Sequence, residues 1–409
     1  MKKVLIIGAG IGQTNILRLA RDKGCHVTVV SVKGDYPCIP LADEFFECDI
    51  YDRDRIVEYA RHNHIDAVLS DQNDLMMPTV AYIAEKLSLP GNSFDQQLSY
   101  ADKNRFRDIC DKLNVPVPKH IAVQSSLLPI AFNAPFPWII KPADSQSSIG
   151  ITKIASLNEY PAAVDLALSK SKKHEAIVEE FFIGTEFVCE GFIYKGRYYN
   201  LMFGDRRYFK DTLLPCQPLF PSDLISKTIK NQIIECESKV ASEVNASFGI
   251  VHSEYLVNLE TGEFKIIDTA LRGGGVYISS HLVPLTTGID INSILLDCAL
   301  GEEVDIDRIW ADIENKASGY VCFNLPEGVI ESIEGLEEVN AHPNVAFFEY
   351  SNLAIGSRIG KMEVKGNRKG PIILHANDRT KLEEIINKVK DTLHITVLGN
   401  NKESHIIWG

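Results

Sequence analysis

The sequence contains no apolar run of about 18 residues, the length a helix needs to cross a bilayer, so no membrane span is expected. It has no C-x-x-C pair and no Cys/His cluster at zinc spacing. Its nine cysteines (25, 38, 48, 110, 189, 216, 236, 298, 322) are scattered and odd in number. That excludes a zinc ribbon and suits reduced thiols in a cytoplasm better than a disulfide framework. No internal repeat or low-complexity tract appears, which argues against solenoid and fibrous architectures. Positive charge is in deficit, 42 Lys+Arg against 55 Asp+Glu, for a net charge of -13. A general nucleic-acid binder is therefore not expected, although a local basic pocket for phosphate remains compatible. Lys2-Lys3 followed by Val4 to Gly12 has the outline of a short signal peptide, but no small-x-small cleavage site follows. A cytoplasmic protein is the expectation.

What is present is an ordinary globular composition, 45% hydrophobic and 24% charged over 409 residues. At roughly 150 residues per domain, that length gives two or three domains. Val4 to Ile7, His26 to Val30 and Asp66 to Leu69 read as short buried strands, with helical stretches after Gly12, from Asp54 to His62 and from Pro78 to Leu87. Strands alternating with helices predict a doubly wound parallel sheet over residues 1–96. Gly8-Ala9-Gly10-Ile11-Gly12 is a tight strand-to-helix turn, but Gln13 stands where a dinucleotide fingerprint continues, and Ser31-Val32-Lys33 offers no acidic ribose ligand. NAD is not expected.

Near residue 97 the texture changes. Ser99 to Asp102 has capping-box form and opens a helix whose Phe106, Ile109, Cys110 and Leu113 share one face, ended by Asn114, Pro116 and Pro118. Trp138 to Ile140 reads as a strand, followed by a helix near 159–170 and a strand from Ala176 to Glu179. A second domain is placed at 97–317 and a third, mixed α+β, at 318–409, with a helix from Arg379 to Thr392.

The chemistry concentrates in two places. Ile250 to Asn258 and Phe264 to Leu271 read as strands around a turn at Leu259 to Glu263. A hairpin symmetric about Thr261 puts Asn258 opposite Phe264 and Glu254 opposite Asp268, the last two on one face about 5 Å apart. Facing carboxylates repel unless a cation lies between them, and oxygen ligands without His or Cys favour a hard ion such as Mg²⁺. The bland alternative is a solvated polar face. Arg272 would follow on the same side, there to bind an anion or simply to pair with Asp268. Upstream, Lys141 ends an apolar strand before Asp144-Ser145-Gln146-Ser147-Ser148-Ile149-Gly150, a small-residue loop suited to phosphate oxygens, although a solvent-facing lysine gives the same pattern.

Taken in order, Lys103, Lys141 with its loop, Val178-Glu179-Glu180-Phe181-Phe182-Ile183-Gly184-Thr185-Glu186, Glu254, Asp268 and Arg272 resemble the ATP-grasp superfamily. The resemblance implies an N-terminal doubly wound α/β domain, α+β subdomains that hold ATP between them, and a C-terminal α+β segment. It assigns Lys103 and Lys141 to phosphate contacts, and Ser147 and Ser148 to a closing loop. Glu179, Glu180 and Phe182 fall to the adenine hinge, Glu186 to the ribose, Glu254 and Asp268 to Mg²⁺ (with Mn²⁺ able to substitute), and Arg272 to the acyl phosphate or substrate carboxylate. Ala270 stands where the family often has Asn, so a second Mg²⁺ would depend more on phosphate oxygens and water. Leu271 to Gly275, Leu282 to Asp290 and Gly328 to Leu336 resemble the L-amino acid ligases.

The implied function is an ATP- and Mg²⁺-dependent carboxylate-amine ligase acting on small molecules. The runner-up is a purine-pathway or bicarbonate-using relative. Tyr208, Lys210 and His281 are substrate-side candidates, with packing or solvent exposure as their default. A homodimer is the commonest symmetric assembly to consider, with neither nucleic acid nor membrane as partner.

Overall fold

Val4, Leu5, Ile6 and Ile7 are all fully buried, which a strand covered by helices on both faces achieves and a half-exposed one does not. The computed structural model describes residues 1–127, 130–145, 149–210, 212, 214–275, 277–362, 367–399 and 402–409. In it, β1 (Lys3–Ile7) lies inside a parallel sheet with β2 (His26–Ser31), β3 (Glu44–Glu47) and β4 (Ala67–Leu69), in the order β3-β2-β1-β4. Helices α1 (Thr14–Asp22), α2 (Arg53–His62) and α3 (Met77–Leu87) alternate with these strands. The doubly wound sheet is thus as expected, apart from β3. Glu44-Phe45-Phe46-Glu47 is a half-exposed edge strand with a charge at each end, so it carries little hydrophobic signal.

Residues 93–113 form two helices instead of one. Ser93 caps α4 (Phe94–Ala101) in a capping box with Gln96, and Asp102 caps α5 (Lys103–Leu113) by accepting from the Arg105 amide. Ser99, expected as the cap, lies inside α4 and donates to the Asp95 carbonyl at 3.0 Å. The expected boundary at 96/97 therefore falls within a helix. On α5 the apolar face is as read, with Phe106 and Cys110 fully buried.

A small antiparallel sheet follows, ordered β5-β8-β6-β7 from β5 (His120–Val123), β6 (Trp138–Pro142), β7 (Thr152–Ile154) and β8 (Ala176–Glu180). Helix α6 (Tyr160–Lys170) covers it with Tyr160, Val164 and Leu168, forming a core of its own. The largest sheet contains β9 (Thr185–Tyr194), β10 (Arg197–Tyr208), β11 (Pro215–Phe220), β12 (Phe248–Val257) and β13 (Phe264–Ala270). The 18-residue α7 (Lys227–Val244) packs on it through Ile233, Val240 and Ala241. β11 then pairs with β14 (Ala317–Asn324), so the sheet continues without a break across 317/318. The remaining C-terminal strands extend this sheet or form a separate four-stranded one, and α8 (Arg379–Thr392), whose bounds match the sequence reading, shares one core with both.

All nine cysteines are buried and free. Among the described residues no single helix is long and apolar enough to cross a membrane.

Candidate active site

Glu254 on β12 stands directly opposite Asp268 on β13, as the hairpin reading required. The register between that pair and the turn differs by one residue: Val257, not Asn258, faces Phe264, and Tyr255 faces Ile266. A bulge beside Glu254 absorbs the difference and leaves Ile267 without a partner. The freed Ile267 carbonyl accepts from Lys141 Nζ at 3.0 Å and from the Arg107 guanidinium at 2.9 Å.

Cations flank the carboxylate pair on both sides. Lys103, at the start of α5, is anchored through its amide to the Ala143 carbonyl and brings Nζ to 3.2 Å from Asp268 Oδ1. Burial alone would weaken that ammonium, but Asp268 and Asp74 outweigh it and raise its pKa. Arg206, on β10, lies 2.5 Å from Glu254 Oε1 and 2.6 Å from Glu186 Oε1. It is buried, and the two carboxylates more than offset the burial that would discharge it. His252 sits two residues before Glu254 on the same strand face, its Nδ1 against Glu190 and its Nε2 3.4 Å from Glu254 Oε1.

Arg272 does not pair with Asp268. It makes a two-point ion pair with Asp74, which follows β4 in the N-terminal unit, at 2.7 and 2.8 Å. The neighbouring Asp71 is buried and accepts from the Gly273 amide at 2.8 Å and from Ser279 Oγ at 2.7 Å. Burial pushes its carboxyl pKa upward against these bonds. The crevice outside β1 and β4, where the strand order reverses and doubly wound sheets commonly bind ligands, is occupied by protein. Gln13 joins the glycine turn to the Asp71 carbonyl there, and Asp71 holds the segment after Arg272.

The other expected nucleotide residues are dispersed. Lys141 is buried with Nζ 2.7 Å from Glu179 Oε2, and burial lowers its pKa. Glu179 is clamped between Lys141 and Arg107 (2.8 Å), so its side chain is internal and only its backbone is left to face a nucleotide. Glu180 holds Lys265 at 2.6 Å, and that ammonium lies 5.3 Å from the Phe182 ring centroid. Glu186 accepts from Arg206 and Tyr208. Ser147 and Ser148 lie outside the described residues. Lys210 is exposed, while half-buried His281 stacks near Tyr277 and Phe347.

A cavity of about 360 Å³ brings Lys103, His252, Glu254, Asp268, Ala270 and Arg272 onto one lining. Asp74 and Arg206 were missed in the sequence. Asp74 had a weak signal, an acid just past the carboxyl end of a parallel strand. Arg206 had none, because its partners lie on other strands.

A model of the ATP-grasp domain matches residues 134–280, and a model of L-amino acid ligase C-terminal domain 2 matches 322–398. The chain carries an ATP-grasp domain followed by an L-amino acid ligase C-terminal domain. Among solved structures, an L-amino acid ligase from Bacillus licheniformis superposes with a TM-score of 0.82 at 21% identity, covering 98% of this chain and 99% of that one. A phosphoribosylglycinamide synthetase from Anaerococcus prevotii gives 0.77 at 22%, covering 97% and 99%. At such identities these likenesses establish the ATP-grasp fold alone. Among curated proteins, formate-dependent phosphoribosylglycinamide formyltransferase from Prochlorococcus marinus (strain NATL1A) is 26% identical over 185 residues, 44% of this chain. The match spans only 48% of that relative. Alanine–anticapsin ligase from Bacillus subtilis (strain 168) is 23% identical over 281 residues, 62% of this chain and 58% of the relative.

The site's donors suit a hard divalent cation bound with a polyphosphate. Glu254 and Asp268 supply oxygen ligands only, and among the described residues no group of three or more His, Cys, Asp or Glu forms a complete metal cage. Mg²⁺ is commonly held that way, by one or two carboxylates with substrate phosphates and water filling the remaining positions.

Proposed function

We propose that this protein is an ATP- and Mg²⁺-dependent ligase that joins a small carboxylate to an amine, of amino acid or dipeptide type, releasing ADP and phosphate. The observation that carries the reading is the opposition of Glu254 and Asp268 at one cavity with Lys103 and Arg272, while Arg206 stands against Glu254. A carboxylate resists amines because it is anionic and its oxygen leaves poorly. Moving the γ-phosphoryl group of ATP onto that oxygen gives an acyl phosphate and ADP. The amine then attacks the carbonyl carbon, phosphate departs and the nitrogen loses a proton. No protein nucleophile is needed, since phosphoryl transfer depends chiefly on positioning and charge neutralisation.

Glu254 and Asp268 would hold Mg²⁺, which when bound neutralises triphosphate oxygens; Mn²⁺ can take the same oxygen ligands. Lys103 would hold a phosphate oxygen, and Arg272 the substrate carboxylate or acyl phosphate. Residues 180–186, from the end of β8 to the start of β9, would take the nucleoside. A cytoplasmic setting agrees with nine free thiols.

An assay for ADP and phosphate over pairs of acids and amines tests the proposal. Release should require both substrates; AMP and pyrophosphate as products would overturn it. A second reading, action on a ribonucleotide or bicarbonate, draws on the likeness to the two phosphoribosylglycinamide enzymes. The L-amino acid ligase C-terminal domain favours the first. Screening ribonucleotides and bicarbonate alongside amino acids separates them.

A further inference from the structure

The cavity beside Glu254 and Asp268 has a second wall, made by the N-terminal unit and α4. Leu75, Pro78, Phe94 and Leu98 supply apolar surface there, and Arg53 supplies a guanidinium. Arg53 opens α2, and its position is fixed from two sides. Its Nε donates to Thr79 Oγ1 at 3.1 Å, and its guanidinium lies 4.9 Å from the Phe94 ring centroid. Thr79 in turn donates to the Ile50 carbonyl at 2.8 Å, so the support is itself anchored.

Every other strongly held cation around the site has a carboxylate: Lys103 has Asp268, Lys141 and Arg107 share Glu179, Arg206 has Glu186 and Glu254, and Arg272 has Asp74. Among the described residues no carboxylate stands against Arg53, whose surroundings are Tyr51, Tyr82 and Phe94. Partial burial lowers its pKa with nothing acidic to offset it, and the guanidinium keeps its charge. Lys172, on the same lining, adds a second positive charge stacked 3.2 Å from the Tyr51 ring centroid. A half-buried guanidinium left unmatched, beside a lysine that no ion pair among the described residues engages, is a place for an anion that the ligand brings.

We infer that this cavity takes a substrate carrying an anionic group in addition to its reacting group, an acidic amino acid or comparable small acid, and that Arg53 sets the preference by binding the distal anion. The inference rests on the ligase reading and narrows it. The volume, about 360 Å³, lies at the small end of the usual range of roughly 300–1,000 Å³ for small-molecule pockets. The apolar wall then covers the methylenes between the two polar ends, while Glu254, Asp268 and Arg272 stay with the reacting end.

The test uses the full chain with ATP and Mg²⁺, and measures ADP release for glutamate against glutamine, aspartate against asparagine, and phosphoserine against serine, each with a panel of amines. The anionic member of a pair should be favoured by roughly tenfold or more in kcat/KM, and the pair that shows it identifies the anion as carboxylate or phosphate. Arg53→Gln should raise KM for that substrate by about tenfold to a hundredfold, with KM for ATP within about twofold, while Arg53→Lys recovers part of the loss. Equal turnover of anionic and neutral partners, or an unchanged KM in a folded Arg53→Gln variant, overturns the inference and leaves the ligase reading standing. If no pair of acid and amine releases ADP, the ligase reading itself fails. Isothermal titration of glutamate and phosphoserine in the presence of a non-hydrolysable ATP analogue then decides the subsite. Binding lost in Arg53→Gln supports it, and no binding, or binding unaffected by the substitution, overturns it.

Discussion

Asp74 and Arg272 lie 198 residues apart in sequence and meet through two hydrogen bonds of 2.7 and 2.8 Å. The pair ties the loop after β4 to the chain just past the hairpin of Glu254 and Asp268, and it engages the guanidinium fork that a substrate carboxylate would use. Burial alone would raise Asp74's pKa, but Arg272 more than cancels this and holds it below the usual carboxylate value.

Arg272→Ala should therefore lower kcat/KM for the acid substrate by about 10²–10³, the scale of losing one preorganised charge contact. Asp74→Asn keeps the shape but weakens the competition for Arg272, so KM for the acid should fall or hold while KM for ATP stays put. Steady-state kinetics with each substrate varied in turn distinguishes the two variants. A large rise in the acid's KM in Asp74→Asn would mean that Asp74 positions Arg272 instead of competing for it.

Asp268 is 41% exposed at its side chain and pairs only with Lys103 among the ion pairs described. Asp268→Asn should cost about 1–3 kcal/mol of stability, because the largely buried Lys103 loses one compensating carboxylate and keeps Asp74. Turnover should nonetheless collapse by about 10² or more, because a ligand for the divalent ion is lost. Thermal melts and ADP release on the same preparation check both halves.

Glu179 presents the opposite case. It is buried between Arg107 and Lys141, and although burial would raise its pKa, the two cations bring it down to about 2. A carboxyl depressed in the folded state stabilises above its unfolded value, near 4.5, and that contribution fades as pH falls toward about 2. Glu179→Gln should cost roughly 3–5 kcal/mol at neutral pH, since it leaves buried cations uncompensated. The variant's disadvantage should shrink on acidification from pH 5 toward 2. Urea midpoints across that range give the measurement, and a constant difference would refute the assignment.

Arg206 contacts Glu186 and Glu254 together. Arg206→Met removes the positive charge that offsets them, and two nearby carboxylates without a counter-charge attract a divalent ion more strongly. The shift in melting temperature on adding Mg²⁺ without nucleotide should be larger in Arg206→Met than in the natural protein. An equal shift would show that Arg206 does not compete with the ion.

How much of this could be read from sequence depended on how local each signal is. β1, β2, β4 and α8 declared themselves through buried runs and helical period, whereas β3, a half-exposed edge strand, did not. The opposition of Glu254 and Asp268 was legible although the turn was placed one residue out: the bulge beside Glu254 restored the register that the turn had shifted. Ser99 looked like a helix cap because its neighbours matched a motif, while Ser93 and Asp102 made the caps. Arg107 and Arg206 were invisible, and Asp74 only faintly marked, for one reason. Each is defined by a partner on a distant segment, and no spacing along the chain encodes such a meeting.

The sheet that runs unbroken from β13 through β11 into β14 has a mechanical consequence. The C-terminal segment from β14 onward is joined to the hairpin of Glu254 and Asp268 through one continuous hydrogen-bonded sheet, which resists its swinging as a separate body. The parallel sheet shares a hydrophobic core with that same frame. The four strands β5 to β8 with α6 have their own core and meet the hairpin and α5 through polar contacts instead, Lys141 on the Ile267 carbonyl, Glu179 on Arg107 and Glu180 on Lys265. One side of the cavity at the carboxylates is thus lined by this unit, through Asp144, Ser145, Lys172 and Lys173.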